Sequence, residues 1–163
     1  MAVALAEAER GLAANELPIG AAVALEGELL AGAHWRLGRP PRLVDHAELV
    51  ALRAAEDTRP LGQADRARST LYTTLEPCLL CMGAAMSFLV GRVVFALEAP
   101  LDGASTVADL WQPRLGHPRD GFPYAVPEVS GGVGRLESLA LLEEYVSRNP
   151  DAGWARALVS ATS

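Results

Sequence analysis

The chain has 163 residues, half of them hydrophobic, and a formal net charge of −6; this fits one compact domain with a sizeable core and weighs against the broad basic surface of a dedicated nucleic-acid binder. Its 14 basic residues are all arginine, and without lysine both Schiff-base chemistry and the lysine-dependent phosphate loop are excluded. No stretch approaches the ~20 apolar residues of a membrane span, and Met1 runs straight into a helical pattern without a basic leader, so a cytoplasmic location and no membrane partner are expected.

Leu5, Ala8 and Leu12 recur at helical spacing and predict an opening amphipathic helix over AVALAEAERGLAA. Ile19 to Leu25 and Leu29 to Ala33 have strand character, with Glu26-Gly27-Glu28 as the hairpin turn between them. A helix is expected from His46, with Asp45 as its cap, burying Ala47, Val50, Ala51 and Ala54 and exposing Arg53 and Glu56. Thr70 to Leu75 reads as a buried strand feeding a second helix, in whose first turn Pro77 would fit. Val93 to Leu97 is the strand after it, and strand, helix, strand in that order predicts a parallel crossover.

Residues 112–134 are dense in Pro and Gly and read as loop, either a lid or a plain surface connection. Leu136, Leu139, Leu142 and Tyr145 mark a late helix, and 150–163 add a short one. No repeat or domain-splitting linker interrupts the chain. The expectation is one α/β domain over 1–163, with a core at 1–111, a loop-rich stretch at 112–134 and C-terminal helices at 135–160.

The chemistry concentrates in His46-Ala47-Glu48 and, 32 positions on, Pro77-Cys78-Leu79-Leu80-Cys81. One His and two Cys are three zinc donors, and catalytic zinc keeps three protein ligands and an open position for water. Cys78 and Cys81 stand at i and i+3, so one helix face brings both sulfurs to one ion, near a positive helix end that favours thiolates. Glu48 is then free to move protons. His46 and Glu48, at i and i+2, diverge on an ideal helix, so this helix is expected to meet the site end-on.

Taken alone, Cys-x-x-Cys also serves redox pairs and zinc ribbons, but a redox disulfide would leave His46 and Glu48 unexplained. His-x-Glu followed by Pro-Cys-x-x-Cys is the signature of zinc nucleobase deaminases. In such a reaction Glu48 takes a proton from water and passes it to a ring nitrogen, water oxygen attacks an amino-bearing carbon, and ammonia leaves. With both cysteines claimed by the metal, no disulfide framework is expected.

ELPIGAAV, HAELVALRAA, LYTTLEPCLLCMGAAM, GRVVF and DGAS extend the pattern over most of residues 1–106. Across them the chain resembles the cytidine and deoxycytidylate deaminase superfamily, and is most similar to its bacterial tRNA adenosine deaminase and guanine deaminase branch. The resemblance implies a three-layer α-β-α sandwich around a mixed sheet of about five strands. It further implies one zinc ion per subunit held by His46, Cys78 and Cys81, Glu48 as proton shuttle, and commonly a homodimer packed through the helices near the zinc.

Departures from that branch bear on substrate. Where the purine-acting members usually have a base-contacting Asn, this chain has Trp35, which either packs in the core, the preferred reading, or stacks on a ring. His34, Trp35 and Ala47 are the candidate substrate contacts; for His34 a structural polar contact competes. The family's Asp-Pro-Thr-Ala before the metal His is replaced by Arg42-Leu43-Val44-Asp45, its Ser-Arg by Phe88-Leu89, and its basic tail is missing. A free nucleobase, nucleoside or nucleotide is therefore the preferred substrate class. Arg36, Arg39 and Arg42, around Pro40-Pro41, could neutralise phosphates or form a solvated loop. A tRNA adenosine deaminase making wobble inosine is the alternative, and a non-catalytic zinc-stabilised subunit is the alternative of another class, which the retained Glu48 disfavours.

Overall fold

The computed structural model describes residues 1–37, 42–107 and 124–163. Helix α1 (Ala2–Ala13) leads into strands β1 (Gly20–Leu25) and β2 (Glu28–His34), then helices α2 (Ala47–Thr58) and α3 (Gln63–Ala67). Strand β3 (Ser69–Leu75), helix α4 (Leu79–Phe88) and strand β4 (Arg92–Leu97) follow, and then β5 (Glu128–Ser130), α5 (Arg135–Arg148) and α6 (Gly153–Thr162). The strands form one mixed sheet in the order β2-β1-β3-β4-β5. β1 runs antiparallel to both β2 and β3, whereas β3, β4 and β5 are parallel, so α4 makes the expected crossover.

Alternation along the strands separates two packing faces. Ala21, Val23 and Leu25 point toward α2 and join Ala47, Ala51, Leu52, Ala55 and Leu71 in one core. Gly20 points the other way, toward α1, where a Cβ would lie 2.1 Å from Ala4 O and 2.5 Å from Ala8 N; glycine there lets the helix backbone rest on the strand. A second core joins Leu75, Leu97 and Ala99 to Leu142 of α5 and Leu158 of α6. Helices thus cover both faces, which is the three-layer α/β sandwich expected.

The Glu26-Gly27 turn has positive φ at both residues, the form whose twist suits a two-residue hairpin. Three local expectations need correction. Asp45 is not the α2 cap: His46 occupies that position, and Asp45 pairs with Arg42 at 3.5 Å. The inward face of α2 follows Ala47, Ala51 and Ala55 with Glu48 and Leu52, leaving Val50 and Ala54 half-buried. Within 112–134, residues Glu128–Ser130 form β5, because the open edge of β4 offers Arg92 to Val94 as their ladder partners. The lid question for 112–123, and the arginine run through Arg39 and Pro40-Pro41, lie outside the described residues. Among the described residues, no helix is long and apolar enough to cross a membrane.

Candidate metal centre and cleft

Two helix N-termini meet where the motif residues converge. His46 is the N-cap of α2 and Cys78 the N-cap of α4, both in extended backbone and neither spending its side chain on a capping bond. Pro77 therefore stands one residue ahead of the cap, outside the first turn where it was expected, and its carbonyl accepts Ala104 N–H at 2.9 Å. Cys81 lies in the first turn of α4 and is fully buried.

His46 Nδ1 is 3.5 Å from Cys78 Sγ and 3.3 Å from Cys81 Sγ, and the sulfurs are 3.7 Å apart. Tetrahedral zinc, with bonds of about 2.0 Å to nitrogen and 2.3 Å to sulfur, separates such donors by about 3.5 Å (N to S) and 3.8 Å (S to S). The donor set fits that ion. Without it, the bond shared with Cys81, followed by the His46 contact and the Cys81 backbone N–H, holds the Cys78 thiol down at about 3. Cys81 is pushed up, first by sharing that bond and then by burial, and His46 is raised, chiefly through Cys78. The two sulfurs share a single hydrogen bond, which favours one thiolate and one thiol in the pair.

Glu48, in the first turn of α2, is 4% exposed, and its Oε1 accepts a hydrogen bond from Thr73 Oγ1 at 3.3 Å. Burial pushes its carboxyl up from the ordinary carboxylate range.

A cleft of about 190 Å³ opens over these groups. Leu17, Ile19 and Leu75 give it apolar walls, Trp35 and Trp154 add indoles, and Glu76 and Asp102 join His46, Glu48 and Cys78 along its polar side. Trp35 both lines the cleft and packs on the core. His34, its neighbour, turns the opposite way, and its Nδ1 meets Glu7 Oε2 beneath α1 at 3.0 Å; strand alternation explains the split. Ala47 is wholly buried in the α2 core and its side chain is not part of the lining.

Sequence reasoning missed Glu76, Asp102 and Trp154. Glu76 Oε2 accepts Ala99 N–H at 3.0 Å, and Oε1 accepts both the backbone N–H and the hydroxyl of Ser105. A Cβ on Gly103 would lie 2.4 Å from Glu76 Cδ, and Gly103 bridges to Cys78. Glu76 thus ties residues 99–105, and Asp102 among them, to the start of the metal helix. The DGAS run, which holds Asp102 and Ser105, was the sequence signal for this segment; Trp154 had none.

Residues 1–97 match the cytidine and deoxycytidylate deaminase zinc-binding region, and the chain belongs to that family. It is a zinc-dependent hydrolytic deaminase that acts on the C–N bond of a cyclic amidine, with His46, Cys78 and Cys81 placed as its possible zinc ligands. The chain is 38% identical over 146 residues to a tRNA(Ile)-lysidine synthase of Deinococcus deserti; the match covers 88% of this chain but spans only 26% of that protein. It is 35% identical over 135 residues to the tRNA-specific adenosine deaminase of Bacillus subtilis, covering 82% of this chain and 83% of the relative. A structure from work on A-to-I editing by tRNA:A34 deaminases superposes with a TM-score of 0.69 at 30% identity, over 86% of this chain and 96% of that one. The guanine deaminase of Nitrosomonas europaea gives 0.65 at 25% identity, over 90% and 82%.

Proposed function

We propose that the chain deaminates a neutral amino-heterocycle, a free base or nucleoside, with Glu48 as the proton carrier. The observation that carries this reading is the cleft lining: two indoles and three carboxylates share it with His46 and Cys78, and no arginine lines it among the described residues. Among the described residues, a phosphate would meet three carboxylates there and no arginine. The cleft is smaller than the roughly 300–1,000 Å³ of pockets that enclose drug-sized ligands, which suits one ring system.

His46, Cys78 and Cys81 would hold zinc, which when bound supplies the Lewis acidity that activates water. Glu48 accepts the proton of the attacking water on its carboxylate and delivers it to a ring nitrogen. A second transfer to the exocyclic amino group releases ammonia and leaves the oxo-heterocycle, so amine plus water balances oxo product plus ammonia. Burial of Glu48 suits the task, because a carboxyl raised above its ordinary range takes up a proton more readily than a solvated one.

A second reading, adenosine within RNA, is favoured by the 35% identity to the Bacillus subtilis tRNA-specific adenosine deaminase. We further propose one functional domain over 1–163, a cytoplasmic location, and pairing of two copies through the exposed Leu79 and Leu80 of α4. Ammonia release by zinc-replete protein from free bases, nucleosides, nucleotides and an anticodon stem-loop, with Glu48→Ala as control, separates the readings. Release from a small molecule that depends on Glu48 supports the first; release from the stem-loop alone replaces it with the second.

A further inference from the structure

We infer that Trp154 is a specificity-determining wall of the cleft, whose indole stacks on the flat ring of the substrate. The inference rests on the heterocycle reading above and reaches a residue beyond the 1–97 family region.

Trp154 is the second residue of α6, and it does not anchor that helix. Ala155 and Leu158, which are 1% and 0% exposed, do so, together with Thr162, whose carbonyl accepts Arg135 Nη2 at 2.6 Å. Helix α5 beneath is in turn fixed to the central strand: Ser138 Oγ donates to Thr74 O at 2.6 Å, and Leu142 joins Leu75 and Leu97 in the core. The indole therefore projects from a firm base. It remains 37% exposed although it faces a cleft with apolar walls.

A part-exposed indole lining the same space as Trp35, His46 and Glu48 has an evident complement. A planar π-system covers it, loses little conformational freedom, and can carry polar edges toward Glu48 and Asp102. Stacking on one face is indifferent to ring substituents, so Trp154 selects for flatness and leaves the choice of edge groups to the carboxylates.

The test uses full-length, zinc-loaded Glu48→Ala protein, in which binding is read without turnover. Tryptophan emission is titrated with adenine, guanine, cytosine and their nucleosides, alone and with Trp154→Ala, Trp154→Phe or Trp154→Leu added. At least one compound should quench the emission. Trp154→Ala should weaken its binding about tenfold, the scale of one base–aromatic stack. Trp154→Phe should restore most of the loss, and Trp154→Leu, which fills space without a π-face, should not. With Glu48 intact, Trp154→Ala should raise KM for the ammonia-releasing compound about tenfold and change kcat little.

Equal binding by Trp154→Ala, or rescue by Leu as good as by Phe, overturns the stacking wall. Ammonia release that depends on Glu48, from a compound whose binding ignores Trp154, also overturns it while leaving the reaction intact. Binding that depends on Trp154 with no release from any compound keeps the wall and removes the proposed reaction. Silence in both assays rejects both.

Discussion

Thr73 Oγ1 donates to Glu48 Oε1 across 3.3 Å, joining the central strand β3 to the first turn of α2, with the two residues 0% and 4% exposed. A hydrogen bond to a carboxylate favours its charged form, so this contact opposes the burial that raises Glu48. Thr73→Val keeps the shape and deletes the donor. We expect kcat to fall about tenfold, in line with a bond to a charged group, with KM and zinc content unchanged. The sign in pH is fixed: losing the donor raises the Glu48 carboxyl further, so the acidic limb of the kcat profile should move to higher pH. A profile that superimposes on the wild type would show that Thr73 does not tune the proton carrier.

Glu48→Gln removes the buried charge while preserving volume. Turnover should vanish, zinc content should persist, and the metal-free protein should be at least as stable as wild type at neutral pH. The last expectation follows from linkage: a carboxyl whose folded pKa is raised costs stability as pH climbs through that value, and Gln escapes the cost. Thermal unfolding of both metal-free proteins at acidic and neutral pH would check it.

Zinc uptake should release protons. Cys78 is held down and Cys81 pushed up because they share one hydrogen bond, so the pair has one proton to give up. About one proton per zinc is expected in mildly alkaline buffer, with a second contribution from His46 as pH falls through its raised value. Affinity should therefore drop toward acid. Calorimetric titration in two buffers of different ionisation enthalpy measures the count, and no proton release would mean that Cys81 does not bind the ion as a thiolate.

Glu76→Ala should free the 99–105 segment. Three donors, from Ala99 and Ser105, lose their acceptor, and a loss of about 1–3 kcal/mol is expected, given partial rescue by water. Because Gly103 bridges to Cys78, zinc affinity should fall as well. Denaturant unfolding and competition with a chelator would read the two effects; unchanged zinc affinity would show that the bridge does not support the metal helix.

Gly20→Ala should be costly for a different reason. The added methyl group would sit 2.1 Å from Ala4 O, and backbone on both sides leaves nothing soft to yield. A destabilisation of about 1–3 kcal/mol or more is expected, without loss of the zinc stoichiometry, since α1 lies on the face of the sheet away from α2. A melting temperature equal to wild type would refute the close approach.

The parts legible in the sequence were those where chemistry or periodicity is local. His46, Glu48, Cys78 and Cys81 stand in short runs whose spacing already brings donors together, and the hairpin at Glu26-Gly27 announces itself by its turn residues. Contacts set by the tertiary fold left weaker traces. Asp45 looks like a cap, but the backbone of His46 takes that place and Arg42 pairs with Asp45. β5 has only three residues and exists because β4 offers an edge. Leu142 of the α5 pattern faces inward, yet Leu136 is 74% exposed and Ser138 is buried beside Leu142. Trp154 in sequence is one aromatic in a short amphipathic helix; that it overlooks the cleft depends on where α5 and α6 settle on the sheet.

The candidate zinc donors and the proposed proton carrier come from residues 46 to 81, whereas the indole of Trp154 lines the cleft from α6, beyond the family-matched stretch. Exchange of tail segments during evolution can thus re-specify what enters while the hydrolytic machinery is inherited intact. Laboratory diversification of α6 offers the same route, because its mutations fall on a different packing layer from the helices that carry His46 and Cys78.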